Sequence, residues 1–168
     1  SWNQEEGEVP VRVFTQGKKG LSAGRQWAVE EAKGDWVAIT DIDVRPEPDW
    51  IETMIAETEP LDEEETVVAV TGRTVFGQAD DVVSRVRSVE IARKYRARPR
   101  KTSLANGPCS MFHRQSLMDI GGFNPDWYHA EDMEVSLRLI ENGGSIIYAP
   151  SAVVAHVPES ERDRFFAK

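Results

Sequence analysis

A single cysteine, Cys109, stands among the 168 residues, which excludes an intrachain disulfide and with it a small disulfide-stapled scaffold. No apolar run approaches the ~18 residues of a membrane span. No internal repeat or low-complexity tract occurs. Base-reading motifs are missing, and the net charge of −9 opposes a polyanion, so nucleic acid is not an expected partner. The opening stretch, Ser-Trp-Asn-Gln-Glu-Glu-Gly-Glu, has neither the features of a signal peptide nor those of a basic transit peptide. An initiator Met is also missing, and the expectation is a piece of a longer protein.

What is present suits a folded domain. The hydrophobic fraction of 40% argues against disorder. A chain of this length buries roughly two thirds of its unfolded surface, and we expect one domain over residues 1–168. Its charge is uneven. Residues 57–65 carry six acids and no base, the pattern of a solvated loop. Residues 85–101 carry eight bases against Glu90 alone, a segment of net +7. That segment is either a solvated helix face or a surface for phosphates and anionic membranes.

Along the chain, Val9–Phe14 alternates and reads as a strand. Ser22 is placed to cap a helix running to about Lys33, with Gly34 as its stop. Trp36–Thr40 is a short apolar strand that leads into Asp41-Ile42-Asp43. Pro46 and Pro48 break the chain, and Asp49 caps a helix carrying Trp50, Ile51, Met54 and Ile55. Val67–Thr71 is a further apolar strand. A helix is expected over 80–97, then an irregular stretch from Pro99 to Pro108. Strand Ser110–His113, helix Gln115–Ile120 and helix Met133–Ile140 follow, the two helices ending at Gly121-Gly122 and Gly143-Gly144. Ile146–Tyr148 and Val153–Ala155 are expected as separate strands. Strand and helix alternate, which is the grammar of an α/β sheet covered on both faces. Ligands of such sheets gather at the carboxyl ends of strands, where Asp41 and Asp43 fall.

In extended chain, the D-x-D spacing points both carboxylates the same way. Two carboxylates held close repel unless a cation joins them, and hard oxygen ligands favour Mg2+ or Mn2+. The competing reading is a turn acid beside a helix-capping acid. Arg25, in the first turn of its helix, is either a diphosphate ligand or an ordinary exposed arginine. Glu131-Asp132 opens a helix, as caps or as working acids. Trp127 and Tyr128 offer flat faces for a sugar ring or for packing. His113 and His129 have weaker cases, and Arg138 reads as a surface charge.

Two blocks resemble glycosyltransferase family 2, whose members have the GT-A fold. The first is GLSAGRQWAVEEAKGDW followed by VAITDIDVRPEPDWI. The second runs from Asn106-Gly107 through Phe112-His113-Arg114, Gly121-Gly122-Phe123, Glu131-Asp132, Leu137-Arg138 and Tyr148-Ala149-Pro150 to His156. The resemblance spans Val11 to Pro158. It implies a mixed, mostly parallel sheet flanked by helices, with a donor and metal half over 9–80 and an acceptor half over 81–168. It further implies sugar transfer from a nucleotide-diphospho-sugar to the hydroxyl of a glycan or lipid-linked acceptor, with inversion by single displacement.

Carried over residue by residue, the resemblance makes Asp43 the metal ligand, with His156 as a further one. Asp132 becomes the general base that takes the acceptor's proton, and Glu131 holds the acceptor or orients Asp132. Asp41, Arg25, Gly107, Trp127 and Tyr128 fall on the substrate side. Work on the cytoplasmic side is expected, and the 85–101 segment is where a peripheral membrane contact would form if it is not simply a solvated helix face. The first strand and helix of the family have no counterpart here, so the fold reads as truncated at its N-terminus. Two alternatives stand beside this reading. One is an inactive carbohydrate- or partner-binding remnant. The other is a haloacid-dehalogenase-like phosphatase with Asp41 as nucleophile, since VAITDIDV also resembles that family's nucleophile strand.

Overall fold

A computed structural model of the chain describes residues 11–76, 82–127 and 129–156. In chain order the elements are α1 (Leu21–Glu31), β1 (Trp36–Ile39), β2 (Val44–Pro46), α2 (Trp50–Ala56), β3 (Val67–Phe76) and α3 (Val82–Ala97). They continue with β4 (Lys101–Thr102), β5 (Ser110–His113), α4 (Arg114–Asp119), α5 (Glu131–Glu141) and β6 (Ser145–His156).

The strands form one sheet in the order β1-β5-β3-β6-β2, with β4 also paired to β6. Strands from before and after residue 80 therefore alternate across it. The sheet is mixed, as expected, but among the described pairings only β3 with β6 is parallel. The expectation of mostly parallel pairing is corrected: continuous apolar runs report burial on both faces and carry no information on strand direction.

Both faces are covered. On one, Trp50 and Met54 of α2 pack on Val67, Val70, Ile147 and Val154. On the other, Val29, Leu117, Val135 and Leu139 from α1, α4 and α5 cover Val68, Ala69, Phe112 and Ile146. In α5 the buried residues Glu131, Val135, Ser136 and Leu139 follow a helical stripe, so the same periodicity that packs the helix also turns its first residue inward. Cys109 lies in the first of these cores, where its sulfur accepts the Trp50 indole N–H at 3.2 Å. Burial pushes its thiol up to about 11, and it is an inert packing residue.

Several expected elements differ. Val11–Phe14 forms no strand; Val9 and Pro10 lie outside the described residues. Val11 and Val13 are 77% and 82% exposed, so the alternation buries neither. The helix expected from a Ser22 cap instead begins at Leu21 with Gly20 as cap, and Ser22 sits inside its first turn. The hydroxyl of Ser22 donates across the fold to the Trp127 carbonyl at 2.7 Å. Within the stretch expected to be irregular, Lys101–Thr102 pairs with Ile146 and Ile147.

The two expected C-terminal strands are one, β6, which runs through Pro150. Its register against β3 shifts at Thr71/Arg73, where Gly72 lies between the paired residues. A Cβ on Gly72 would come within 2.2 Å of the Ala152 carbonyl, so only glycine allows this approach. The irregularity accommodates a proline that cannot donate to a neighbour.

Candidate active site

The D-x-D segment is not extended. Strand β1 ends at Ile39, Ile42 and Asp43 turn, and β2 begins at Val44, whose N–H reaches the Asp41 carbonyl at 3.3 Å. The expectation of extended chain through the D-x-D is thereby corrected. The two carboxylates serve different partners, because a turn breaks the two-residue alternation of a strand.

Asp41 accepts from Arg25 at 3.0 Å. The other guanidinium nitrogen of Arg25 donates to Glu131 at the start of α5. Arg25 is only 8% exposed, so it is neither the surface arginine of one reading nor a group held open for a diphosphate. It is a strut between two carboxylates from the two motif blocks. A buried guanidinium requires such partners, because an uncompensated charge in the interior is costly.

Gly107 sits beside this strut. Its N–H donates to Asp132 Oδ2 at 3.0 Å, and a Cβ on it would stand 2.9 Å from Arg25 Nη2. A larger residue here would press on the guanidinium. Asp132 also accepts from the Met133 N–H at 2.9 Å, and its carboxylate remains partly exposed at the N-terminus of α5. The preceding residue, Ala130, is left-handed with φ 56°, a conformation disfavoured for alanine and here located where the chain delivers Glu131 and Asp132. A cleft of about 650 Å3 is lined by Arg25, Asp41 and Asp43, with Val37 and Ile39 among its apolar walls.

Asp43 lies 3.4 Å from His156 Nε2 through Oδ2. Sheet register explains the meeting, since Val44 pairs with His156, which also pairs with Phe76. The Phe76 ring stacks on the imidazole at 5.2 Å. One carboxylate oxygen and one imidazole nitrogen at this separation suit adjacent ligands of a single octahedral ion, ~3 Å apart for ~2.1 Å bonds. Among the described residues no group of three His, Cys, Asp or Glu side chains converges. Such a pair of protein ligands would leave the other positions of a divalent ion to phosphate and water.

Trp127 is 46% exposed and Tyr128 lies outside the described residues. His113 caps α4, its Nδ1 accepting from the Ser116 N–H at 3.4 Å, so its role is structural. Arg138 is not an idle surface charge. It pairs with Glu134 and donates to the Ile120 and Gly122 carbonyls at 2.7 Å, which fastens the Gly121-Gly122 turn to α5. The Glu134 to Arg138 spacing is the readable signal for the first of these contacts. Nothing local signals the second, nor the Arg25–Glu131 pair, whose members are 106 residues apart.

Paired layers around a mixed sheet, with a D-x-D turn and a Glu-Asp helix start drawn to one arginine, define a GT-A type of architecture. Residues 3–121 match the model of Glycosyl transferase family 2, well over half of the chain, and the chain belongs to that family. It is 29% identical over 146 residues to the Pre-mycofactocin glycosyltransferase of Mycobacterium tuberculosis, in strains CDC 1551 / Oshkosh and ATCC 25618 / H37Rv. That match covers 82% of this chain and 30% of the relative, so the chain spans less than a third of the length of these relatives.

The fold is similar to that of the mannosyltransferase PcManGT from Pyrobaculum calidifontis, solved with GDP-Man and Mn2+. That comparison has a TM-score of 0.62 at 22% identity, covering 88% of this chain and 39% of the other. GalNAc-T7, solved with UDP, GalNAc and Mn2+, gives a TM-score of 0.62 at 14% identity over 86% and 31% of the two chains. These likenesses establish the GT-A fold. The phosphatase alternative falls with the family assignment, and Asp41 in this fold is engaged by Arg25.

Proposed function

We propose that this chain supplies the reaction centre of a glycosyltransferase dependent on a divalent metal. It moves a sugar from a nucleotide-diphospho-sugar to an acceptor hydroxyl with inversion. The observation that carries this reading is the Asp41–Arg25–Glu131 bridge, which draws the D-x-D turn and the Glu-Asp helix start to one place. The donor occupies the cleft beside Asp41 and Asp43. Asp41 keeps 37% of its side chain exposed while paired, leaving an oxygen for the ribose.

Asp43 and His156 would hold the ion. Mg2+ or Mn2+ supplies positive charge to the departing diphosphate. The relatives of similar fold were solved with Mn2+ and with GDP-Man or UDP, which supports this part of the reading. Asp132 accepts the proton of the acceptor hydroxyl as its oxygen bonds to the anomeric carbon from the face opposite the leaving group. The bond to the diphosphate oxygen breaks in the same step, so the configuration inverts. The Gly107 N–H fixes the direction of the Asp132 carboxylate, and Glu131 positions the helix start through Arg25. Trp127, 46% exposed, borders the acceptor side. We place the reaction on the cytoplasmic side. Among the described residues no helix is long and apolar enough to cross a membrane.

Sugar transfer and donor binding test the proposal in parallel. Asp132→Asn should lower turnover by a factor of about 100 or more while donor binding persists, since loss of a general base costs ~10²–10⁴. Asp43→Ala should abolish metal-dependent donor binding. Near-normal turnover in either folded variant would remove that residue from its role. Saturable glycan binding with no metal effect and no turnover would favour the binding remnant.

A further inference from the structure

A second cavity, of about 780 Å3, lies between the ends of β3 and β6 and the last turns of α3. Arg73, Arg96, Arg98 and Arg100 line it, against one carboxylate, Glu57. Arg100 is already engaged, 3.2 Å from Glu65 and 3.7 Å from Glu57. Arg98 differs. Its guanidinium carbon stands 5.1 Å from the Tyr95 ring centre and 5.4 Å from that of Tyr148. Its Nη1 is buried without a hydrogen-bond partner among the described residues. Thr74, 4% exposed, lines the same cavity with its hydroxyl equally unpartnered among those residues.

Four arginines against one carboxylate, with the hydroxyl residues Thr74, Tyr95 and Tyr148 in the same lining, match an anion with several oxygens. The Tyr95 oxygen accepts from the Asn106 amide at 2.7 Å, which leaves its own proton to donate. Burial raises the Tyr148 hydroxyl above its ordinary range, against the opposing charge of Arg98, so it too stays protonated. Phe76, Ile91 and Pro150 supply an apolar wall.

The cavity touches both parts of the proposed centre. Phe76 stacks on His156 from the metal corner. Asn106, bonded to Tyr95, is followed directly by Gly107, which holds Asp132. We infer that this cavity binds the phosphate of the acceptor, a phosphate ester with an apolar or ring-bearing body. This assignment to the acceptor rests on the transferase reading; the anion site itself does not. The phosphate belongs to a soluble ester or to a lipid headgroup.

Calorimetric titration with phenyl phosphate, without metal or donor, tests the site, with phenol as the neutral control. Saturable binding of phenyl phosphate and none of phenol is expected. Arg98→Gln should weaken it by about tenfold or more, as loss of a charge-assisted hydrogen bond does. Arg73→Gln, at the exposed rim, should weaken it less and serves as the second variant if Arg98→Gln unfolds. Vesicle flotation with phosphatidylcholine, with and without phosphatidic acid, separates the sources. Arg98-dependent flotation only with phosphatidic acid supports the lipid headgroup, and binding of phenyl phosphate alone supports the soluble ester. Absence of saturable binding in both arms, or equal affinity in the parent and both variants, overturns the site. These titrations contain neither metal nor donor, so failure here is distinct from failure of the transferase reading. For the acceptor assignment, Arg98→Gln should raise the acceptor KM and leave the donor KM unchanged; the reverse pattern would overturn it.

Discussion

Arg25 and Arg98 stand on the two sides of Asn106-Gly107 in opposite circumstances. Arg25 is 8% exposed and holds a carboxylate on each arm. Arg98 has a buried nitrogen, Nη1, with no acceptor among the described residues, and its guanidinium stands beside two aromatic rings. A guanidinium whose partners are all protein belongs to the architecture, because its bonds are the same with or without substrate. One whose donors lack protein partners has interaction free energy still to gain from a ligand. The neighbouring motif residues divide in the same manner, with Gly107 facing the strut and Asn106 bonded to Tyr95 of the cavity wall.

The sharpest way to break the contrast is to remove the strut. Arg25→Met should lower stability by ~3–5 kcal/mol, because Glu131 is left buried and charged without its partner. Urea denaturation of the purified variant reads this directly. A loss below ~1 kcal/mol would mean that Arg25 is no more architectural than Arg98. Gly107→Ala is a gentler intrusion on the same contact. The added methyl presses on a guanidinium pinned at both ends, and overpacking of this kind costs ~1–3 kcal/mol. Turnover should fall further than stability alone explains, since the Gly107 N–H also aims Asp132. Equal turnover in a folded Gly107→Ala protein would show that the aim of Asp132 does not depend on this bond.

The residues of the site were more legible than their arrangement. Asp41, Asp43, Glu131, Asp132 and His156 stand out by residue type and by their place at element ends. The apolar run of Val67–Thr71 correctly announces a central strand. Strand direction was not legible, because burial on both faces produces the same apolar run in either sense. The alternation of Val11–Phe14 misled because a period of two describes a strand only where a neighbour and a core exist to receive it. Arg25 is paired to two carboxylates that its local sequence does not announce. Its helix position was readable, but the burial that selects carboxylates over a phosphate arises from contacts distant in sequence.

Arg100 is the intermediate case, and the smallest effect is expected there. It joins the basic run to the acidic one, with Glu65 at 3.2 Å and Glu57 at 3.7 Å. The Leu61 N–H, and then Arg100, hold the Glu65 carboxyl below its ordinary value, against the opposing effect of burial. A carboxyl lowered on folding adds stability above its unfolded value near 4.5, and that contribution disappears as pH falls through the folded value. Glu65→Gln should therefore cost less than ~1 kcal/mol at neutral pH, as expected of a partly exposed pair. The gap between parent and variant should close as the solution is acidified below that value. Urea midpoints of the two proteins at neutral and acidic pH measure it. A gap that persists unchanged in acid would show that Glu65 acts through packing rather than charge, and Arg100 would then join Arg98 as a cation whose charge is still available to an anion.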